Sequence, residues 1–442
     1  MKRDAMHNLE SWMASRHRKP LILQGARQVG KTWLVQEFGR LHYSKVAYVT
    51  FFDNENLKRV FDGSIDAQRL IGALSIEAQT PIDQSDTLLI LDEIQECPRA
   101  IMALKSFAEQ MPDRHVIAAG SLLGVALSRY GKTRDGSAGK IMFPVGKVNW
   151  LTLHPMTLSE FLRATGREQL ANLLASGDIE MATAFKERFI DALRQYYFVG
   201  GMPEAVAEFA ESGSYEEVRS LQNDLLLDYE HDFSKYATAT EAEKIRLVWR
   251  SAPSQLAKEN KRFVYSAVRP SGRARDFESA IQWLTDAGLL VRVARISKPG
   301  IPLSAYEELP SFKLYMLDVG LLGARSKLRS STLIDGDRLF IEFKGALTEQ
   351  YVCQQLVAQG IVPWYWSAER SDGEVDFVAE WDGSARPIEV KAEENLRSKS
   401  LRAFCAKYQI ERAIRLSMSD YRVESWLTNI PLYAANAITT LA

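Results

Sequence analysis

The chain has 442 residues, enough for two to four domains at roughly 100 to 200 residues each, which excludes a single small binding module. Hydrophobic residues make up 46% and charged residues 25%, ordinary globular usage that excludes wholesale disorder. With 55 Lys and Arg against 56 Asp and Glu, no whole-chain field directs the protein to nucleic acid or to an anionic membrane, so any basic surface has to be local.

In chain order, the opening MKRDAMHNLESWMASRHRKP is charged and has no continuous apolar stretch of the signal-peptide kind. Short apolar runs then alternate with helical patterns over 20 to 165: Leu21 to Leu23, residues 46 to 52, Leu88 to Leu91, Val116 to Ala119 and Val148 to Leu153. Continuous runs separated by helices predict a parallel sheet buried on both faces, an α/β domain over 1–165. Residues 166–256 read as a helical connector or lid, interrupted by Gly200-Gly201-Met202-Pro203. Over 257–330, a helix carrying Ile281, Trp283 and Leu284 precedes two strands, Leu290 to Val293 and Phe312 to Leu317, the layout of a winged helix. Residues 331–442 predict a second, smaller α/β unit. The three cysteines, Cys97, Cys353 and Cys405, form no CxxC pair and read as core thiols of a reducing compartment. No segment approaches the roughly 18 apolar residues of a membrane span, and the expected location is the cytoplasm.

The strongest motif is Gly25-Ala26-Arg27-Gln28-Val29-Gly30-Lys31-Thr32, directly after an apolar strand and ahead of a helix. Glycines let the backbone curl so that its N–H groups and a helix N-terminus face a phosphate, Lys31 adds positive charge, and Thr32 can ligate Mg²⁺. Downstream, the buried run Leu88 to Leu91 ends in Asp92 and Glu93. At that position Asp92 would hold the Mg²⁺ water shell and Glu93 would orient or deprotonate the attacking water; by itself such a pair also serves as a helix N-cap. Ser121, ending the run Val116 to Gly120, either hydrogen-bonds the γ-phosphate or the water, or is a turn residue.

GARQVGKT, LDEIQECPRAIMALK, AAGSLLG, VGKVNWLTLHPMTLSEFL and YYFVGGMPEAV, followed by FESAIQWLTDAGLL, GALTEQYVCQQL, EVDFVAE and PIEVKAEE, resemble in order the AAA-type P-loop ATPases of bacteria and archaea that carry an uncharacterised C-terminal domain. The resemblance implies an ATP-binding, ATP-hydrolysing domain with a parallel sheet and helical lid, then a winged helix and a C-terminal α/β restriction-endonuclease-like domain. Its cofactors would be ATP and Mg²⁺, and a homo-oligomer fits the family. The stretch Tyr130 to Lys140 is longer than the resemblance leads one to expect, and Arg129 and Arg134 are arginine-finger candidates or solvated surface residues. Gly200 to Pro203 resembles a sensor-like turn or is a plain loop.

In the C-terminal unit, Asp382-Gly383 is the dipeptide favoured in a two-residue type I′ turn, and that turn places Asp376 directly opposite Glu389. Period-two alternation puts Lys391 on the face of Glu389, with Phe377, Ile388 and Val390 on the other. Like charges face to face are unfavourable unless something binds them, and a divalent cation is the obvious candidate. Glu349 shares a helical face with Val352, Cys353 and Leu356, so its carboxylate also needs a partner. Glu349, Asp376, Glu389 and Lys391 resemble the constellation of PD-(D/E)xK nucleases, in which the three carboxylates hold Mg²⁺ and Lys391 positions a water. The alternative is a cross-strand network in which Glu389 and Glu374 pair with Lys391 or Arg386, leaving a module that binds without cleaving. Lys258, Lys261, Arg262, Arg269, Arg273 and Arg275, with Phe263 and Tyr265 interleaved and Lys244, Arg246 and Arg250 before them, form a basic segment that suits double-stranded DNA, a protein partner, or solvent alone.

Overall fold

Five short strands with almost no charged side chains build the first sheet: β1 (Leu21–Gln24), β2 (Lys45–Thr50), β3 (Thr87–Asp92), β4 (His115–Ala119) and β5 (Asn149–Thr152). All neighbours pair in parallel, in the order β2-β3-β4-β1-β5. Every residue of β3 is buried, as a strand covered on both faces requires. The computed structural model describes residues 1–82, 86–130, 143–258, 260–334, 341–369, 373–392 and 398–442.

The chain divides into two compact units, one of residues 2–154 with 286–288 and one of residues 155–285 with 289–442. In the first, helix Lys31–His42 follows β1, and helix Pro98–Gln110 begins with proline at its first turn, where a missing N–H costs nothing. The core is mostly aliphatic, with Ile22, Leu89, Leu91, Leu104 and Val116 all essentially inaccessible beside Phe51, Phe61 and Phe107.

The second unit opens with a capping box, in which Thr157 and Glu160 satisfy each other's backbone N–H at the start of helix Leu158–Ala164. A helical block runs to helix Ala239–Leu256, which starts with a second capping box, Thr238 and Glu241. Helices Tyr265–Val268 and Ala274–Asp286 then precede the antiparallel hairpin β6 (Leu290–Ile296) and β7 (Glu307–Met316). Helix Ile341–Ala358 leads to β8 (Trp364–Ser367), β9 (Glu374–Trp381), β10 (Ser384–Val390), β11 (Ala413–Ser417), β12 (Arg422–Val423) and β13 (Leu427–Pro431).

The hairpin is not confined to its own module. It forms the edge of one eight-stranded sheet, ordered β12-β13-β11-β10-β9-β8-β6-β7, joined by a parallel bridge between Arg295 and Tyr365. Everything beyond residue 154 lies in a single compact unit apart from 286–288. The turn between β9 and β10 has the expected type I′ character: Asp382 and Gly383 both have positive φ, 51° and 67°. The register from Ser384↔Trp381 to Ile388↔Phe377 is the one that turn dictates.

Candidate functional site

The loop after β1 is shaped by positions that tolerate little substitution. Gly25 has φ 149°, and a Cβ there would lie 2.3 Å from the Leu153 carbonyl oxygen, so only glycine fits. Gly30, at φ 91°, turns the chain in the left-handed region into helix Lys31–His42, whose N-terminus no side chain caps. Its first backbone N–H groups are thus left for an anion. Ala26 and Val29 are buried and anchor the loop, while Arg27 is exposed and Gln28 takes a positive φ of 66°. Arg3 braces it from beneath, donating from its guanidinium to the Val29 carbonyl at 2.8 Å and the His154 carbonyl at 2.6 Å.

Lys31 is buried and donates to the carbonyls of Gly25 (3.0 Å) and Ala26 (2.7 Å). Burial lowers its ammonium to about 8, against the pull of Glu93 and Asp92. Beside it, the Thr32 hydroxyl and the Tyr48 hydroxyl both donate at 2.8 Å to one carboxylate oxygen of Asp92, and the other accepts from the Glu93 N–H at 3.0 Å. Sheet order explains how two distant stretches meet: the loop follows β1, Asp92 ends β3, and both strands point their C-terminal ends the same way.

Glu93 has a left-handed backbone, φ 51°, which turns its side chain out of the strand direction. One oxygen of its carboxylate accepts from the Ser121 hydroxyl at 3.0 Å and from the Gln95 amide. Ser121, reached from the end of β4, thus stands on the glutamate. The residues from Gly25 to Thr32, with Asp92, Glu93 and Ser121, come together in the first unit. Tyr48, Gln95 and Arg3 join them and were not singled out from the sequence. Gln95 had a local signal, two residues after Glu93, whereas Tyr48 and Arg3 had none. Arg134 and the side chain of Arg129 lie outside the described residues.

In the second unit, Glu349, Asp376 and Glu389 do not form the expected metal cluster. No group of three or more His, Cys, Asp or Glu side chains able to hold a metal ion occurs among the described residues. The reason is the company these carboxylates keep. Glu349 faces inward as expected, but its oxygens take the Lys261 ammonium at 2.6 Å and the Tyr315 hydroxyl at 3.1 Å. Lys313, fully buried on β7, lies 3.9 Å from Glu349 and pairs closely with Glu374. Burial opposes charge on Glu349, yet Lys261 and Lys313 hold it below the usual carboxylate range. Asp376 accepts from the Val390 N–H at 2.8 Å, and burial first, then the Glu349 charge, push it up to about 7.

Glu389 pairs with Lys391 at 3.0 Å, and its second oxygen is buried with no hydrogen-bond partner. Glu374 pairs with Lys313 rather than with Arg386 or Lys391. Lys313 and Tyr315 went unnoticed in the sequence, although a lysine two residues from a tyrosine in the apolar strand FKLYM places both on one face.

Of the basic segment, Lys258, Arg262, Arg269, Arg273 and Arg275 are exposed. Lys261 turns inward to Glu349, Arg250 pairs with Glu230 at 2.8 Å, and Arg246 is hydrogen-bonded to Ser234. Lys258, Arg262, Phe263 and Tyr265 line an open cleft of roughly 630 Å³. Gly200 and Gly201 form a packing junction within the second unit, where the buried Asp318 carboxylate accepts from the Gly201 N–H at 2.6 Å.

A family described as "AAA domain" matches residues 17–162, and two families described as domains of unknown function (DUF8612 and DUF4143) match residues 190–332 and 344–434. No curated protein matches the chain. Among solved structures, the Walker-type ATPase PABY2304 of Pyrococcus abyssi is similar at 13% identity and TM-score 0.44, over 74% of this chain and 95% of its own. The Aeropyrum pernix ORC1 protein in complex with DNA follows at 13% identity and TM-score 0.27, over 73% and 90%. The Thermotoga maritima RuvB Holliday junction branch migration motor is at 13% and 0.27, over 66% and 90%.

Proposed function

We propose that this chain, whose residues 17–162 match a family described as an AAA domain, binds ATP with Mg²⁺ and hydrolyses it to drive a DNA-gripping second unit. The observation that carries the reading is the convergence of the Thr32 and Tyr48 hydroxyls on one carboxylate oxygen of Asp92, beside an uncapped helix N-terminus and the buried Lys31. Hard oxygen donors of this kind suit Mg²⁺, and Thr32 with Asp92 would hold it, supplying charge compensation at the phosphates. Lys31 would exchange its two carbonyl partners for phosphate oxygens, and the loop N–H groups would bind the rest of the charge. Glu93 takes the proton of the attacking water, with Ser121 and Gln95 fixing its orientation. Lys31→Ala should abolish ATP binding. Glu93→Gln should keep binding and lose about 10² or more in hydrolysis; an unchanged turnover in Glu93→Gln would remove Glu93 from the mechanism.

For the C-terminal module, a binding role without cleavage fits better than metal-dependent cleavage. A divalent ion at Glu349 and Asp376 would have to displace or repel two ammonium groups, Lys261 and Lys313, that already neutralise the cluster. Gripping of the duplex is assigned to the exposed Lys258, Arg262, Arg269, Arg273 and Arg275. Five phosphate contacts imply that affinity for a DNA duplex falls about 10²- to 10³-fold between roughly 50 and 200 mM salt. Affinity indifferent to salt, or Mg²⁺-dependent nicking that disappears in Asp376→Ala, would overturn this reading.

A further inference from the structure

A second cleft in the same unit, of roughly 770 Å³, lies between helix Tyr215–Tyr236 and the segment after helix Val319–Arg325. Its volume is in the range of small-ligand sites. Its lining carries three cations, Arg219, Lys327 and Arg329, against one carboxylate, Glu216.

Among the described lining residues the cations outnumber the carboxylate three to one. Arg219 is largely withdrawn from water, with its guanidinium 4.1 Å over the Phe198 ring. It donates to Gln222 Oε1 (2.7 Å) and to the carbonyls of Leu328 (3.1 Å) and Gly320 (3.4 Å), all neutral acceptors. Among the described residues it makes no ion pair, and burial lowers it to about 10 with no nearby carboxylate opposing. The adjacent Arg325, at the end of helix Val319–Arg325, is by contrast paired with Glu230 at 2.8 Å. Helix termination fixes the two other cations: Lys327 takes a left-handed backbone, φ 55°, its N–H bonded to the Ala324 carbonyl and that of Leu328 to the Gly323 carbonyl. Lys327 and Arg329 are exposed at the mouth, beside the hydroxyls of Ser330 and Ser331. Buried cations are ordinarily paired, and carbonyl dipoles satisfy Arg219's hydrogen bonds without cancelling its charge.

We propose that this cleft binds the phosphoryl group of a small phosphorylated molecule, with Arg219 at its base, Lys327 and Arg329 closing on it, and Tyr215 walling the remainder. Guanidinium groups match phosphate bidentately, and serine hydroxyls add neutral donors.

The test uses the full chain carrying Lys31→Ala, so that the P-loop does not contribute its ammonium. Calorimetric titration with pyrophosphate should show one saturable site, weakened about tenfold by Arg329→Glu and further by the Lys327→Glu, Arg329→Glu double variant. Both positions are exposed, and an unchanged circular dichroism spectrum and melting curve would certify the fold. Absence of saturable binding up to millimolar pyrophosphate, or binding indifferent to both charge reversals, overturns the proposal. AMP should compete with pyrophosphate; competition by a phosphoserine peptide but not by AMP would refute the small-molecule assignment.

Discussion

Lys313 offers the most direct test of the view that ammonium groups occupy the place of a metal. It is 0% exposed, pairs with Glu374, and stands 3.9 Å from Glu349, which also holds Lys261. Lys313→Met keeps the length and apolar stem of the side chain and removes the charge alone, so lost packing is small. What remains is Glu374 without its cation and a cluster of Glu349, Asp376 and Glu374 with Lys261 as the one ammonium left on it among the described residues. Removing one partner of a buried pair costs about 3–5 kcal/mol because the other charge is left stranded. Lys313→Met with Glu374→Gln removes both members, and should recover about half or more of that loss. Urea unfolding followed by tryptophan fluorescence gives the stability, and hydrogen exchange over 307–316 and 374–390 assigns the loss to this sheet. If Lys313→Met cost less than about 1 kcal/mol, the pairing would be a surface-like contact and the argument for a neutralised cluster would fail.

Gly200 has φ 73° and ψ −162°, a region almost restricted to glycine, and a Cβ there would lie 2.1 Å from Asp318 Oδ1. Gly200→Ala should therefore destabilise the second unit by about 3–5 kcal/mol in urea unfolding, with ATP binding at the first unit retained as a control. Asp376 is raised from 3.8 to about 7 on folding. Its contribution is thus fully present below its unfolded value and is lost as pH rises through about 7, so the unfolding midpoint should fall as pH rises from about 4 to about 7 and level off above that. Asp376→Asn should flatten that dependence; a midpoint that rises over this interval in the unaltered protein and is unmoved by Asp376→Asn would contradict the burial argument.

The parallel sheet was legible because strands covered on both faces must be apolar throughout, and Leu88 to Leu91 is such a run. The β9–β10 register was legible for a different reason: a two-residue turn leaves no freedom in pairing once Asp382 and Gly383 take positive φ. What the sequence hid is long-range. The Arg295 to Tyr365 bridge carries the hairpin into the C-terminal sheet, and no local pattern announces it. Likewise, Lys261 meets Glu349 across 88 positions and Lys313 meets Glu374 across 61, so a cluster that reads as a metal site from its acids alone turns out to be internally compensated. Asp376 and Glu389 lie on strands joined by one short turn and can be recognised together; the cations belong to segments whose placement depends on the folded sheet.

That placement also ties the basic cleft to the carboxylate cluster. Arg262 is exposed at the cleft while its neighbour Lys261 points inward to Glu349, and the next residue, Phe263, donates its N–H to the Phe312 carbonyl at 2.8 Å and stacks on the Phe312 ring. Phe312 precedes Lys313 on β7, so one short segment is fixed to both cations of the cluster. Were the proposed duplex contact made, a backbone phosphate pulling on Arg262 would act on the Lys261 to Glu349 pair through one peptide unit. Substitution at Lys261 consequently disturbs cluster and cleft together and cannot separate DNA affinity from stability. Arg262→Glu changes only the charge presented to the ligand and isolates the first of these.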